Sequence, residues 1–227
     1  MPQKNSRKEY EPGGYYHVYN RGVEKRMIFC EEADYKTFLG YLKLYLTSPN
    51  LQGLALKDEG GHTISPSRAP MNFTGDLELH AYCLMPNHFH FLLKQNDERT
   101  MPEFIHSLIM KYVMYFNQKY KRVGSLFQGR YKCVRVESEA QFTYVSKYIH
   151  RNPIDLLPTG PGPEGLREYK YSSYGNYLGL FRQGWVKTED ILSYFSKTNP
   201  GNTYQAFVEE SGDISRVYKE MIDLDET

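Results

Sequence analysis

The apolar positions of the chain switch between two periods. Residues 15 to 19, Tyr-Tyr-His-Val-Tyr, are aromatic and β-branched and run into Asn20-Arg21-Gly22, a turn signal, so they predict a first strand. From Glu31 to about Leu46, Phe38, Leu42, Tyr45 and Leu46 recur at helical spacing and predict an amphipathic helix. Residues 48 to 76 carry no period. Ser48-Pro49-Asn50, Gly60-Gly61 and Ser65-Pro66-Ser67 mark them as a long inserted loop. Leu77 to Leu84 and His88 to Lys94 return to the strand pattern and read as an antiparallel hairpin closed at Pro86-Asn87.

Thr100-Met101-Pro102-Glu103 reads as a helix start, with Thr100 as the cap and Glu103 at the reciprocal position. Phe104, Leu108, Tyr112, Tyr115 and Phe116 carry that helix to about Tyr120. Gly124 to Gly129 is a glycine-bounded loop and Tyr131 to Val136 a fourth strand. Ser138 and Gln141 form a second capping box. The helix they open must stop near Asn152, because Pro153 disfavours helical geometry in the residue before it.

The order is therefore β-α-β-β-α-β-α. It predicts an α+β fold: a ferredoxin-like split βαβ core, an antiparallel sheet with helices on it, plus one added helix. Residues 1–157 form that domain, with the insertion at about 48–76. Residues 158–227 form a connector and a small, partly helical C-terminal region. The connector carries Pro158, Gly160, Pro161, Gly162, Pro163 and Gly165, and the helical part lies at about 186 to 225.

Composition is that of a globular protein, and 227 residues are enough to bury a sizeable core. The net charge of +1 says little about a polyanionic partner, but its distribution says more. Between residues 104 and 136 there are seven Lys or Arg and no Asp or Glu, the footprint of a local phosphate-binding surface. Arg130 and Lys132 share a face of the fourth strand and are the first candidates for phosphate contact. Lys121, Arg122 and Arg135 come next. Cys30, Cys83 and Cys133 are odd in number and widely spaced, which suits reduced thiols. With no apolar leader and no run of roughly 18 apolar residues, a cytoplasmic protein with no membrane span is expected.

The candidate chemistry lies in Met85-Pro86-Asn87-His88-Phe89-His90. Alternate strand residues share a face, so His88 and His90 point one way while Phe89, Phe91 and Leu93 point the other. Two imidazoles on one face are a metal half-site, although such a pair alone more often serves structure. On the last helix Tyr144, Tyr148 and Asn152 are spaced four apart and line one face. If that face looks at the histidines, a carboxamide joins the two imidazoles and a phenol stands by as a nucleophile toward phosphorus. His17 reads equally as a donor to this site or as a core histidine. His106 and His150 read as surface residues, as does His62 in the loop. His80 has no evident role, and Tyr112, Tyr115 and Tyr120 read as core or stacking residues.

The histidine pair followed by a tyrosine helix resembles the single-tyrosine HUH transposases of the IS200/IS605 type, in particular the REP-associated tyrosine transposases. The stretches that carry the resemblance run from about residue 15 to 180. They are Tyr16-His17-Val18-Tyr19-Asn20-Arg21-Gly22, Met85 to His90, Gly124 to Lys132, Tyr148-Ile149-His150-Arg151-Asn152-Pro153 and Tyr171-Ser172-Ser173-Tyr174. The resemblance implies His88, His90 and Asn152 as ligands of Mg²⁺ or Mn²⁺. It also implies Tyr148, rather than Tyr144, as the nucleophile that forms a 5′-phosphotyrosine. The implied substrate is single-stranded DNA folded into a hairpin or palindromic repeat, nicked and rejoined by a monomer or a homodimer. The alternative reading is a catalytically inactive ferredoxin-like nucleic-acid-binding module.

Overall fold

The structure is a computed structural model and describes residues 10–48, 71–156 and 164–210. Four strands, β1 (Tyr15–Arg21), β2 (Leu77–Met85), β3 (His88–Gln95) and β4 (Lys132–Val136), pair antiparallel in the order β2-β3-β1-β4. Helices α1 (Glu32–Leu46) and α2 (Thr100–Lys119) cover one face, and α3 (Glu139–Arg151) covers the other. This is the split βαβ arrangement expected of the sequence, with one helix added to the opposite side. Most of the inserted loop (49–70, with His62) and the connector residues 157–163 lie outside the described residues, as do 211–227.

The face under α1 and α2 is a dry aromatic core. Phe38 is fully buried, with its ring centroid 5.6 Å from Phe89 and 4.9 Å from Tyr112, both in the same cluster. The one carboxylate here, Asp34, is buried, and Lys119, Tyr115 and Tyr120 all donate to it, as do the N–H groups of Cys30 and Glu31. Burial alone would raise its pKa. The hydrogen bonds from Lys119, Tyr120, Cys30 and Glu31 outweigh that and hold it below the usual carboxylate range. Lys119, one of the seven basic residues of the middle segment, is thus engaged by Asp34 and Glu31.

The edge strand β2 is covered by the chain's own C-terminal segment. The N–H of Leu84 donates to the carbonyl of Tyr171, that of Ser173 to Tyr82, and that of Lys187 to Leu79. These bonds satisfy edge groups that would otherwise be open to pairing with another chain. The C-terminal segment contains short helices α4 (Glu164–Glu168), α5 (Tyr174–Tyr177), α6 (Glu189–Leu192) and α7 (Tyr204–Glu209).

Four local expectations need correction. The first strand runs on through Asn20 to Arg21, because its pairing with β3 continues to Arg21↔His88. Gly165, read as irregular connector, lies in α4. Thr100 lies inside α2 instead of capping it. Asp97 accepts from the N–H of Arg99, and the Gln95 side chain accepts from that of Met101, so the strand end satisfies the helix N-terminus. Ser138 does cap α3, accepting from the N–H of Gln141, but the Gln141 side chain returns to the N–H of Glu137 and not to that of Ser138.

Candidate functional site

The site sits on the α3 face, where the β2–β3 hairpin turns. Met85 pairs with His88, so Pro86 and Asn87 form the two-residue connection. The Asn87 amide donates through Nδ2 to the carbonyl of Lys25, which turns its Oδ1 toward His88 Nδ1 at 2.6 Å. An amide oxygen only accepts, so Nδ1 of a neutral His88 carries the proton and Nε2 presents a lone pair. That Nε2 lies 3.3 Å from Oδ1 of Asn152, whose own Nδ2 donates to the Tyr148 carbonyl at 3.0 Å. Two acceptors therefore face each other. That is the relation between two ligands of one cation.

His90 completes the set. Its Nδ1 lies 2.9 Å from Nε2 of His17, and its Nε2 is buried without a hydrogen-bond partner among the described residues. Burial, followed by the positive charge that His88, His17 and Arg21 would bring, holds the His90 pKa well below the imidazole range. His90 is thus neutral, as a ligand must be. Burial pushes His17 down to about 3, so it too is neutral. When His90 donates through Nδ1 to His17, its Nε2 lone pair is left for an ion, and His17 fixes that tautomer. His88 Nε2, His90 Nε2 and Asn152 Oδ1 are the atoms that could hold a divalent ion here, with the His88 and His90 rings 4.9 Å apart by centroid.

Helix α3 carries Tyr148 one turn before Asn152. Its ring lies edge-on to His90 with centroids 5.5 Å apart, and edge-on to His17 at 5.9 Å. Tyr144, one turn earlier, meets Phe207 of α7 at 5.4 Å instead. The two tyrosines that the spacing left open are thus separated by what each touches.

The basic candidates divide by face. Lys132 pairs with Tyr19 across β1 and β4, and its ammonium lies 6.0 Å over the Tyr19 ring, which stacks on His17 and His90. Arg130 follows Gly129, whose φ of +71° turns the chain toward β4, and is exposed. Arg135 sits on the opposite face, paired with Glu11 at 2.6 Å. Lys121 and Arg122 lie beyond the C-terminal end of α2, where Arg122 covers the Phe116 ring. The structure thus brings Tyr148, His88, His90, Asn152 and Lys132 to one region. It leaves Lys121, Arg122 and Arg135 elsewhere.

His150, read as a surface residue, is fully buried. Its Nδ1 meets the Tyr204 hydroxyl at 2.6 Å and its Nε2 the Ser173 hydroxyl at 2.7 Å. Ser173 in turn accepts from the N–H of Tyr82, and Tyr204 donates to Ser146. This network ties the helix of Tyr148 to β2 and to α7. One signal for it is visible in the sequence: Ser146 and His150 each stand one position from the apolar stripe of Phe142, Val145 and Ile149.

Fold and site together define a ferredoxin-like α+β domain with a histidine pair and a tyrosine helix on one sheet face. Residues 71–152, a little over a third of the chain, match the model of the family described as "Transposase IS200 like", in line with the resemblance. The matched segment contains both histidines, Tyr148 and Asn152. Among solved structures, the chain is similar to a REP-associated tyrosine transposase bound to a REP hairpin. The TM-score is 0.55 with 12% identity, over 93% of each chain, which establishes the shared fold. A "putative transposase" from Deinococcus radiodurans aligns at a TM-score of 0.36 and 16% identity, over 66% of this chain and 95% of that one. No curated protein matches the chain. No helix among the described residues is long and apolar enough to cross a membrane.

Proposed function

We propose that the chain is a metal-dependent single-stranded DNA transposase that nicks and rejoins strands through a 5′-phosphotyrosine on Tyr148. The observation that carries this reading is the grouping of the His88, His90 and Asn152 side chains, with His88 Nε2 against Asn152 Oδ1 and the His90 ring between the rings of His88 and Tyr148. Those three residues would hold Mg²⁺ or Mn²⁺, whose chemistry there is Lewis-acid neutralisation of a phosphodiester. Tyr148 Oη attacks phosphorus, the bond to the 3′ oxygen breaks, and the proton lost by the phenol ends on the released 3′ hydroxyl. The covalent link conserves the bond energy for rejoining. His17 keeps His90 in the ligating tautomer, and Asn152 is oriented by the Tyr148 carbonyl.

Lys132 would be the nearest phosphate contact, with Arg130, Lys121, Arg122 and Arg135 available to a longer strand. The structural relative bound to a REP hairpin supports hairpin or palindromic repeat DNA as the substrate. Catalysis is assigned to residues 1–157, with 158–227 as an extension whose residues Ser173, Tyr204 and Glu210 brace α3. The Tyr148 ring packs edge-on against His90 and His17 of its own chain, which supports action in cis by a monomer or by each subunit of a homodimer.

The test is a hairpin oligonucleotide incubated with protein and Mn²⁺ and resolved on a denaturing gel. Wild type should yield a covalent protein–DNA adduct. Tyr148→Phe should bind the hairpin and yield none. An undiminished adduct in that variant would remove Tyr148 from the role, and metal-independent binding without any cleavage by wild type would favour the binding module.

A further inference from the structure

We propose that Glu78, His80 and Asp190 form a second divalent-cation site, of the Zn²⁺ class, which fastens the C-terminal segment to the edge of the sheet. The site is built by a β-bulge. Leu79 pairs with Leu93 but Ala81 pairs with Leu92, so His80 is the extra residue in β2. Before the bulge Leu77 and Leu79 face the α1–α2 core, and after it Tyr82 and Leu84 do. The change of parity turns Glu78 and His80 to the α3 side together.

There the His80 ring is fully buried, 5.5 Å from Tyr15 and 5.2 Å from Phe142 of α3 by ring centroid. Its Nδ1 lies 3.1 Å from the carbonyl of Lys187, which can only accept, so Nδ1 carries the proton. The lone pair on Nε2 is then buried with no hydrogen-bond partner among the described residues, 3.9 Å from a carboxylate oxygen of Glu78. Asp190 Oδ2 approaches the ring from the Nδ1 side, at 3.7 Å, and must turn toward Nε2 to ligate; one ligand atom from each of the three residues already falls within 4.8 Å of the others.

A buried lone pair facing a carboxylate needs a proton or a cation between them. One imidazole and two carboxylates, with water in the remaining position, suit Zn²⁺. Ligand atoms of such an ion lie about 3.3 Å apart. Glu78 and Asp190 are partly exposed and can close that gap around a fixed ring. Lys94, with its ammonium 3.6 Å from Glu78, is the competing cation. The bound ion would join β2 to α6 across the point where the N–H of Lys187 already bonds Leu79. It would also steady the end of α3 opposite Tyr148, through Phe142.

The test uses the full chain, stripped with a chelator and titrated with Zn²⁺ by calorimetry. A His88→Ala/His90→Ala background removes the candidate centre, so that the two sites are counted separately. That background should bind a single equivalent. Adding Asp190→Asn, at a half-exposed position that the fold does not need, or His80→Asn should abolish binding. Lys94→Gln should tighten it by about tenfold, as expected for removing a neighbouring cation. A background that binds no Zn²⁺, or binding that survives Asp190→Asn, would overturn the proposal, and unchanged affinity in Lys94→Gln would place the ion elsewhere.

Discussion

The two faces of the sheet are built on opposite rules. Under α1 and α2, rings pack on rings, and the single buried carboxylate is met by donors on every side. Under α3, four histidines are buried, and the contacts of His88 and His80 set acceptor against acceptor. The first face buries apolar area and satisfies its buried carboxylate, Asp34. The second leaves the His90 and His80 Nε2 atoms unsatisfied, which costs stability unless a ligand completes them. The difference separates the face that carries the fold from the face proposed to carry the chemistry.

The sharpest way to break that contrast is Phe38→Ala. Phe38 is fully buried among Phe29, Phe89, Phe91 and Tyr112, so truncation should cost about 3–5 kcal/mol in urea unfolding. The fraction that remains folded should still form the covalent adduct, because no ring of this cluster touches the histidine pair. A loss below about 1 kcal/mol would mean that this face is not the stability core.

His150 tests the other face with a smaller effect and a definite sign. Its folded pKa is pushed down to about 3 by burial, against about 6.5 in an unfolded chain. Below pH 6.5 the unfolded state takes up a proton that the folded state refuses. The contribution is therefore complete above that pH and is lost as the pH falls from 6.5 toward 3. At pH 5 the loss amounts to about 2 kcal/mol. His17, lowered in the same way, adds to the same slope. In unfolding measured from pH 7 to 5, His150→Gln should reduce the slope by about 1.4 kcal/mol per pH unit at its steepest. A variant with the wild-type slope would show that His150 is already charged in the folded chain.

How far each face could be read from the sequence follows from the same contrast. On the aromatic face the period of the apolar residues is the cause of the packing, so Phe38, Leu42 and Phe104 are buried where their spacing predicts. The histidine pair was readable for a similar reason, since strand alternation alone sets His88 and His90 together. What could not be read depends on contacts far apart in the chain. His150 is buried by Ser173 and Tyr204, which lie 23 and 54 residues away. The role of His80 depends on a bulge, and a bulge is a property of pairing with β3, not of β2 by itself. The start of α2 differs from the sequence pattern because the helix begins at Thr100 itself: Gln95 and Asp97, at and just beyond the end of β3, take the N–H groups of Met101 and Arg99, and that of Thr100 goes to the Asp97 carbonyl.

The smallest expected effect concerns how the two faces share the DNA. Lys132 stands on the site face above Tyr19, whereas Lys121 follows α2 on the other layer. A lysine that neutralises one phosphate releases about one counterion, so Lys132→Gln should lower the salt slope of hairpin binding by about one unit. The loss in affinity at moderate salt should be modest and independent of the hairpin's sequence, because a phosphate contact carries no base information. Binding curves for wild type, Lys132→Gln and Lys121→Gln over a range of salt concentrations would measure both terms. A slope change confined to Lys132→Gln would confine the strand to the α3 face. An equal change in Lys121→Gln would mean that the strand passes from that face around the sheet to the end of α2, so that the aromatic layer would also serve in binding.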